Sequence, residues 1–449
     1  MKRLGMKIFS SFLILNLSAG PFAFAQESEV MAQLRRQVDD LTTTVSALQK
    51  QIQTMEGHIT AAPGKEFTAQ VVPPGEQVSS GLIRTMQDIH MGGYMDVEYN
   101  QNLTGNTSNN PSGTTTGATT PGGNPLRVFD NDQNTFGINA AVLEFEKTPN
   151  PEGGAGFRLD IAMGENAETV DQATIGTDAD EFSIQQAFVD FVVPLKALEG
   201  NQIFDDTIDF KVGRYVTLAG AEVIRSPDNW NISRSFLFGF SIPFTHTGAR
   251  ATYKLFNDKL TTYWGLNNGW DNVIDNNQMK TLETGFSFSP FENVTHMSSL
   301  YWGPENARQG GHRRFILSNV LSWKVTDKLS LMANIDFGNE RRVAGLQGFA
   351  FRNAQWHGYA GYARYQLTSK VAFAYRIEFF RDDDTFRTGA SVAKDQDSLW
   401  EQTVTGEYEI YTNLLGRLEY RYDKSDDRRV FNGQSSQQTI GAQLIYKFA

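Results

Sequence analysis

Between Val216 and Arg250 the chain reads VTLAGAEVIRSPDNWNISRSFLFGFSIPFTHTGAR, which sets Glu222, Arg225, Asp228, Arg234 and His246 among a dense group of aromatics. Two chemistries are open to such a set. A base, an acid and hydroxyls could form a catalytic loop. Fixed charges of both signs could instead select ions and small polar solutes by size and charge. The catalytic reading finds no support elsewhere. There is no Gly-x-Ser-x-Gly and no phosphate-binding Gly-Lys-Ser/Thr loop. The six histidines never take the spacing of helical metal ligands, and Gly310-Gly311-His312 has no metal partner nearby in the sequence. Asp130, Asp132 and Asn134 match the start of a calcium loop. Thr135 then stands where Gly is required and Ala141 where Glu is required, so it is not an EF-hand. His296 and Ser298 share a strand face without a third partner. No catalytic residue, metal or cofactor is expected, and the chain is read as not an enzyme.

The elements that must position these charges begin with an export signal. Lys2, Arg3 and Lys7 precede the apolar run Ile8 to Leu17, and Ala23-Phe24-Ala25 is a small-x-small cleavage site, so 1–25 reads as a signal peptide. Its loss takes the formal charge from -11 to -14, because three bases and no acids leave. A chain so acidic is a poor partner for nucleic acid. Cysteine is absent, which excludes disulfides and thiolate metal sites.

Residues 26–60 form a candidate coiled coil for oligomerisation. Met31, Val38, Val45, Ile52 and Ile59 fall at a, and Leu34, Leu41, Leu48 and Met55 at d. The rod would be about 40 Å long. Branched residues at a with Leu at d favour two strands, and the nearly uncharged e and g positions add little. An amphipathic helix lying on a surface is the alternative. Residues 61–87, rich in Pro and Gly, read as a semi-extended linker.

From 88 to 449 the apolar period becomes two. Leu418, Tyr420 and Tyr422 alternate with Arg417, Glu419 and Arg421, and Phe373, Tyr375, Ile377 and Phe379 with Arg376 and Glu378. Each run is about ten residues, enough for a tilted strand to cross a bilayer. Charge opposite Leu and Tyr inverts the pattern of a soluble sandwich. Short connections (Thr148 to Gly154, Asn257 to Lys259, Pro290 to Val294, Thr326 to Lys328, Thr368 to Lys370) alternate with long ones (Leu103 to Asn134, Glu165 to Glu181, Gly269 to Asn277, Gly303 to His312, Gly338 to Gln355, Arg381 to Ser398, Lys424 to Ser436). The expected fold is all-β: a transmembrane antiparallel barrel of about sixteen strands. Both ends of the barrel domain would lie on the short-turn, periplasmic side.

Phe236, Leu237, Phe238, Phe240, Ile242 and Phe244 need burial that a solvated surface loop cannot provide. Folding inward supplies it. Glu222, Arg225, Asp228 and Arg234 would then face Arg158, Lys211 and Arg250 from the wall and form a charged constriction. Pinning of the loop by the same charges is a compatible alternative. A third reading makes the aromatic half a strand on the lipid girdle or at a subunit contact.

The segment KVGRYVTLAGAEVIRSPDNWNISRSFLFGFSIPFTHTGARATY resembles the β-barrel porin-2, OmpL-like, family, and WGLNNGWDNV followed by Asp275-Asn276-Asn277 resembles its next hairpin. The likeness runs from about Ile89 to Phe448. Ala449 after Phe448 departs from the usual terminal aromatic. A coiled-coil prefix is similar to that of trimeric DcaP-type porins. The resemblance implies an outer-membrane porin for passive diffusion of ions and small hydrophilic solutes, a homo-oligomer of three chains, and contact with outer-membrane lipid and lipopolysaccharide. Its rod would lie in the periplasm within reach of peptidoglycan. The rival expectation is a structural barrel that tethers the envelope through that rod.

Overall fold

In a computed structural model, the chain divides into Met1–Ser80 and Gly81–Ala449. The described residues are 88–448 apart from 105–122, 176–181, 196, 197, 199, 202, 308–310, 345–350, 384, 390–395 and 427–429. The signal peptide, the coiled-coil positions and the linker lie outside them.

Alternation of apolar and polar side chains produces sixteen strands: β1 His90–Asn102, β2 Thr135–Lys147, β3 Gly154–Met163, β4 Phe182–Pro194, β5 Thr207–Val216, β6 Thr245–Leu255, β7 Leu260–Asn267, β8 Thr281–Phe291, β9 Val294–Pro304, β10 Arg313–Lys324, β11 Leu329–Ala344, β12 Phe351–Gln366, β13 Val371–Asp383, β14 Gln396–Tyr411, β15 Leu414–Ser425 and β16 Ser436–Phe448. Every strand pairs antiparallel with its sequence neighbours, and β1 closes on β16 from Gly93–Phe448 to Asn102–Thr439. Closure removes both sheet edges, so no strand is left with unpaired backbone groups in hydrocarbon. The two faces separate as the sequence pattern requires. Leu418, Tyr420, Phe373, Tyr375, Ile440, Leu444 and Tyr446 are exposed on the outside, while Arg417, Glu419, Arg421, Arg376 and Glu378 are buried inside.

Three connections differ from expectation. The stretch Gly338 to Gln355 is mostly strand, because β11 and β12 stay paired out to Ala344 and Phe351. Polar composition there marks a hairpin whose ends are rich in charge, with Glu340 turned inward onto Arg314. The Arg381 to Ser398 connection is likewise shortened, to 384–395. The loop after β3 contains a helix, α1 Glu165–Ile175, which turns Ala167 and Val170 into the interior.

One outer position tests which face meets lipid. Leu444→Arg, near the middle of β16, is expected to cost about 2–4 kcal/mol in urea unfolding from lipid vesicles. A cost near zero would mean that this face is not in hydrocarbon.

Candidate functional site

Val216 and Thr245 pair at the ends of β5 and β6. The chain between them, 217–244, does not leave the barrel but crosses its interior. Leu218 N–H donates to Tyr301 Oη (2.9 Å), Gly220 N–H to Ser318 Oγ (3.0 Å) and Ala221 N–H to Asn334 Oδ1 (2.9 Å), reaching β9, β10 and β11 in turn. Farther on, the Glu419 carboxylate of β15 takes the N–H groups of Ile232 (2.6 Å) and Ser233 (2.9 Å). The Glu378 carboxylate of β13 takes those of Phe236 (2.8 Å) and Leu237 (2.5 Å). Trp356 of β12 donates its indole N–H to the Ser241 carbonyl (3.1 Å). A buried N–H without an acceptor costs about 1–3 kcal/mol, and this segment has little ladder of its own. The wall supplies the acceptors.

The apolar half has the burial its composition demands. Phe236, Leu237, Phe238, Phe240, Ile242 and Phe244 are each no more than 6% exposed. Leu237–Ser241 forms one wide helical turn, so the alternative of a strand on the lipid girdle does not hold. These side chains pack with Phe129, Trp270, Trp356, Tyr362, Phe380 and Leu399 into a dry core within the lumen. Each large apolar side chain so buried contributes about 1.5–3 kcal/mol. Two inward segments went unread in the sequence. The first carries Phe129, whose ring centroid lies 5.5 Å from that of Phe238 and 5.3 Å from that of Phe244. The second is α1, where Asn166 Nδ2 donates to Ser226 Oγ (3.4 Å) and Thr169 Oγ1 to the Val128 carbonyl (3.2 Å). The available signal was the apolar trio Leu126, Val128 and Phe129 in an otherwise polar connection.

The seven charges singled out in the sequence fall into two groups. Three are buried. Glu222 accepts from Arg376 of β13 (2.5 Å), which also binds Glu401 of β14 (2.5 Å) and the Ser233 carbonyl (2.7 Å). Arg234 is consumed by the carbonyls of Ile232 (2.8 Å), Ile224 (3.0 Å) and Val223 (3.1 Å). Arg250 pairs with Glu283 (2.6 Å) and donates to the Val216 carbonyl (3.2 Å). The other four keep contact with water. The Arg225 side chain, 32% exposed, binds Glu144 of β2 (2.6 Å) and Asp228 (2.9 Å), itself 53% exposed. Arg158 of β3 reaches Asp160 (2.9 Å), Glu146 (3.1 Å) and the same Glu144 (3.6 Å). Lys211 of β5 lies 4.1 Å from the Phe188 ring centroid. Glu144 thus joins Arg225 on the loop to Arg158 on the wall. His246, which the sequence places at the start of a strand, is there in β6, stacked 4.5 Å from Tyr301.

The family model described as "Putative beta-barrel porin-2, OmpL-like" matches residues 88–448. The chain belongs to this family. Its barrel therefore reads as an outer-membrane, porin-like barrel, a channel architecture rather than an enzyme's. Among solved structures, the outer-membrane channel DcaP of Acinetobacter baumannii aligns with a TM-score of 0.52 at 12% identity, covering 80% of this chain and 97% of its own. The anion-selective porin from Comamonas acidovorans aligns with a TM-score of 0.51 at 10% identity, covering 80% and 99%. At such identities the likeness is one of fold. No curated protein sequence matches the chain.

Two outcomes follow for this porin-family barrel. Arg376→Met leaves Glu222 buried without its cation and Glu401 with Arg421 alone (3.5 Å), at a cost of about 3–5 kcal/mol. Trypsin should then cut at Arg225 or Arg234 in the folded variant, while the unaltered barrel resists. Equal resistance would show that Arg376 does not hold the loop. The second outcome concerns Glu305, in the loop after β9. It accepts the Trp270 N–H (2.7 Å) and the Thr281 hydroxyl (2.7 Å), and burial pushes its carboxyl up to about 7. A carboxyl raised on folding contributes stability that is complete below its ordinary value near about 4.3. That contribution is lost as pH rises through about 7. Hydrogen exchange at Trp270, corrected for intrinsic rate, should be slower at acid than at alkaline pH, and Glu305→Gln should abolish the difference. A pH-independent rate in the unaltered protein would overturn this.

Proposed function

We propose that this barrel is a passive diffusion porin for ions and small hydrophilic solutes, constricted by the inward connection between β5 and β6. The observation that carries the reading is the division of charges between the loop 217–244 and the wall strands around it. Glu222 and Arg234 are consumed in fixing the loop and Arg250 in binding Glu283 and the end of β5, whereas Arg225, Asp228, Arg158 and Lys211 are only partly buried or exposed. Arg225 faces Glu144 of β2, while Asp228 lines a cavity with Arg364, Glu407 and Arg417 of β12, β14 and β15, so the constriction lies off-centre, between the loop and these stretches of wall. Glu144 and Glu146 contribute negative charge to the same strip. Opposed charges across a narrow gap sort solutes by size and sign. Pinning and constriction are then the work of different residues in one loop.

The opposing view, a structural barrel that tethers the envelope, draws on the dryness of the interior. Inward side chains of β1, β13, β14 and β15 are buried around the loop. Under the porin reading, that packing keeps the path narrow and to the side of the loop. The similar DcaP structure is described as a channel and the Comamonas acidovorans protein as an anion-selective porin. Three chains per assembly, with the outer face against lipid and lipopolysaccharide and the 26–60 rod in the periplasm near peptidoglycan, complete the reading.

Single-channel recording of the purified barrel in planar bilayers tests it. Steady steps in symmetric potassium chloride are expected, and silence from folded protein would favour the tether. Arg225→Glu should move the reversal potential in a salt gradient toward cations, whereas Arg234→Glu should chiefly impair folding. A reversal potential indifferent to Arg225 would remove it from the constriction.

A further inference from the structure

The outer face of the barrel is uncharged over most of its height, and the exceptions lie along one rim. From β7 to β16 the outward strand positions that carry charge, among the described residues, are Arg313 of β10, Arg341 of β11, Arg381 and Asp383 of β13 and Lys424 of β15. Alternation fixes their facing. Glu340, Asp382 and Asp423, the chain neighbours of Arg341, Arg381 and Lys424, are buried inside, and Arg314, next to Arg313, binds the inward Glu340. All five charges lie at the strand ends that lead into the long connections. At the opposite ends, beside the short turns, uncharged residues such as Trp323, Tyr365, Phe373, Tyr408 and Tyr446 face out. The rim thus holds four bases and one acid in a chain whose formal charge is -11.

These bases stand among aromatic rings. The Arg313 guanidinium lies 3.9 Å from the centroid of Trp302. Arg381 is opposite His357 in the register of β12 and β13, and Lys424 is opposite Trp400 in that of β14 and β15. The rings of His357, Phe379 and Trp400 form a row, with centroids 6.2 Å and 4.7 Å apart. Aromatic rows of this kind mark the boundary between hydrocarbon and headgroups. Neighbouring strands are about 4.8 Å apart, so Arg381 and Lys424, separated by β14, are about 10 Å apart across the sheet. Arg381 pairs with Asp383 (3.0 Å), and its side chain is still 35% exposed. Among the described residues neither Arg313 nor Lys424 has an ion-pair partner. A cation at the edge of hydrocarbon is stabilised by an anion at the same depth, and in a membrane that anion is headgroup phosphate.

We propose that the rim of β10 to β15 binds the phosphate groups of a phosphorylated glycolipid in the outer leaflet. Arg381 and Lys424, on either side of β14 and its Trp400, form the principal seat, and Arg313 is a second contact. The guanidinium fork matches phosphate oxygens, and the Lys ammonium adds a point charge. Phe379 and Trp400 present the apolar surface for the acyl chains beneath. The proposal gives residues to the lipid contact of the porin reading. It rests on that reading's orientation, with the long connections outside, but not on conduction.

Native mass spectrometry of the full barrel, folded in detergent and titrated with lipid A, tests the rim. Bis-phosphorylated lipid A is expected to bind at least about 10-fold more tightly than the same lipid stripped of its phosphates. Arg381→Gln combined with Lys424→Gln should remove most of that preference and leave binding of the phosphate-free lipid unchanged. Equal binding of the two lipids by the wild-type barrel overturns the proposal, whether or not the variant folds. So does a folded double variant that keeps the full preference. A barrel silent in planar bilayers that still prefers the phosphorylated lipid would lose the porin reading and keep this one.

Discussion

The interior of this barrel depends on carboxylates of the wall binding backbone N–H groups of a loop. A chain that crosses a lumen in irregular conformation carries donors that neither strand nor helix pairing can satisfy. Glu378 and Glu419 each take two successive N–H groups, and within the loop Glu222 takes the N–H and the hydroxyl of Ser235. Hydrogen bonds to a charged acceptor are worth about 1.5–3 kcal/mol each, roughly twice a neutral one. The N–H donors thus take the place of water around these buried carboxylates. Arg376 binds Glu222 and Glu401, the latter shared with Arg421 (3.5 Å), and reaches the loop carbonyl of Ser233.

The result is a molecule with two apolar surfaces and a polar layer between them. Outside, Leu, Phe and Tyr face hydrocarbon. Next comes the charged inner wall. Within that, Phe236 to Phe244 pack with Phe129, Trp270 and Trp356 as a small globular protein would. The inner core and the lipid face obey the same area rule but are separated by one strand's thickness of ion pairs. The loop is therefore held both by burial and by directional bonds, and the water-contacting Arg225 and Asp228 sit on a rigid base.

Much of this was legible from residue order. Period-two alternation determines strand number and facing directly, because one face must be apolar for lipid. Burial of Phe236 to Phe244 followed from the cost of exposing six large apolar groups. Individual roles within the loop were not legible. Arg225 and Arg234 are the same residue type nine positions apart, yet one meets Glu144 and water while the other is consumed by three carbonyls. That difference depends on strands far away in sequence. The helical content of α1 was missed because its amphipathicity is faint: among its described side chains, Ala167 and Val170 are the apolar ones turned into the core. The length of β11 and β12 was missed because polar residues on a hairpin tip look like loop.

The pairing of Val216 with Thr245 makes the inward loop an excursion that begins and ends at one place on the wall. Its anchors lie much later in the chain: Phe236 to Glu378 spans 142 residues and Ile232 to Glu419 spans 187. The loop thus emerges with its donors unsatisfied and must wait for the C-terminal hairpins. Long-range closure of that kind is slow. The last hairpins thus complete not only the cylinder but also the seat of an earlier segment.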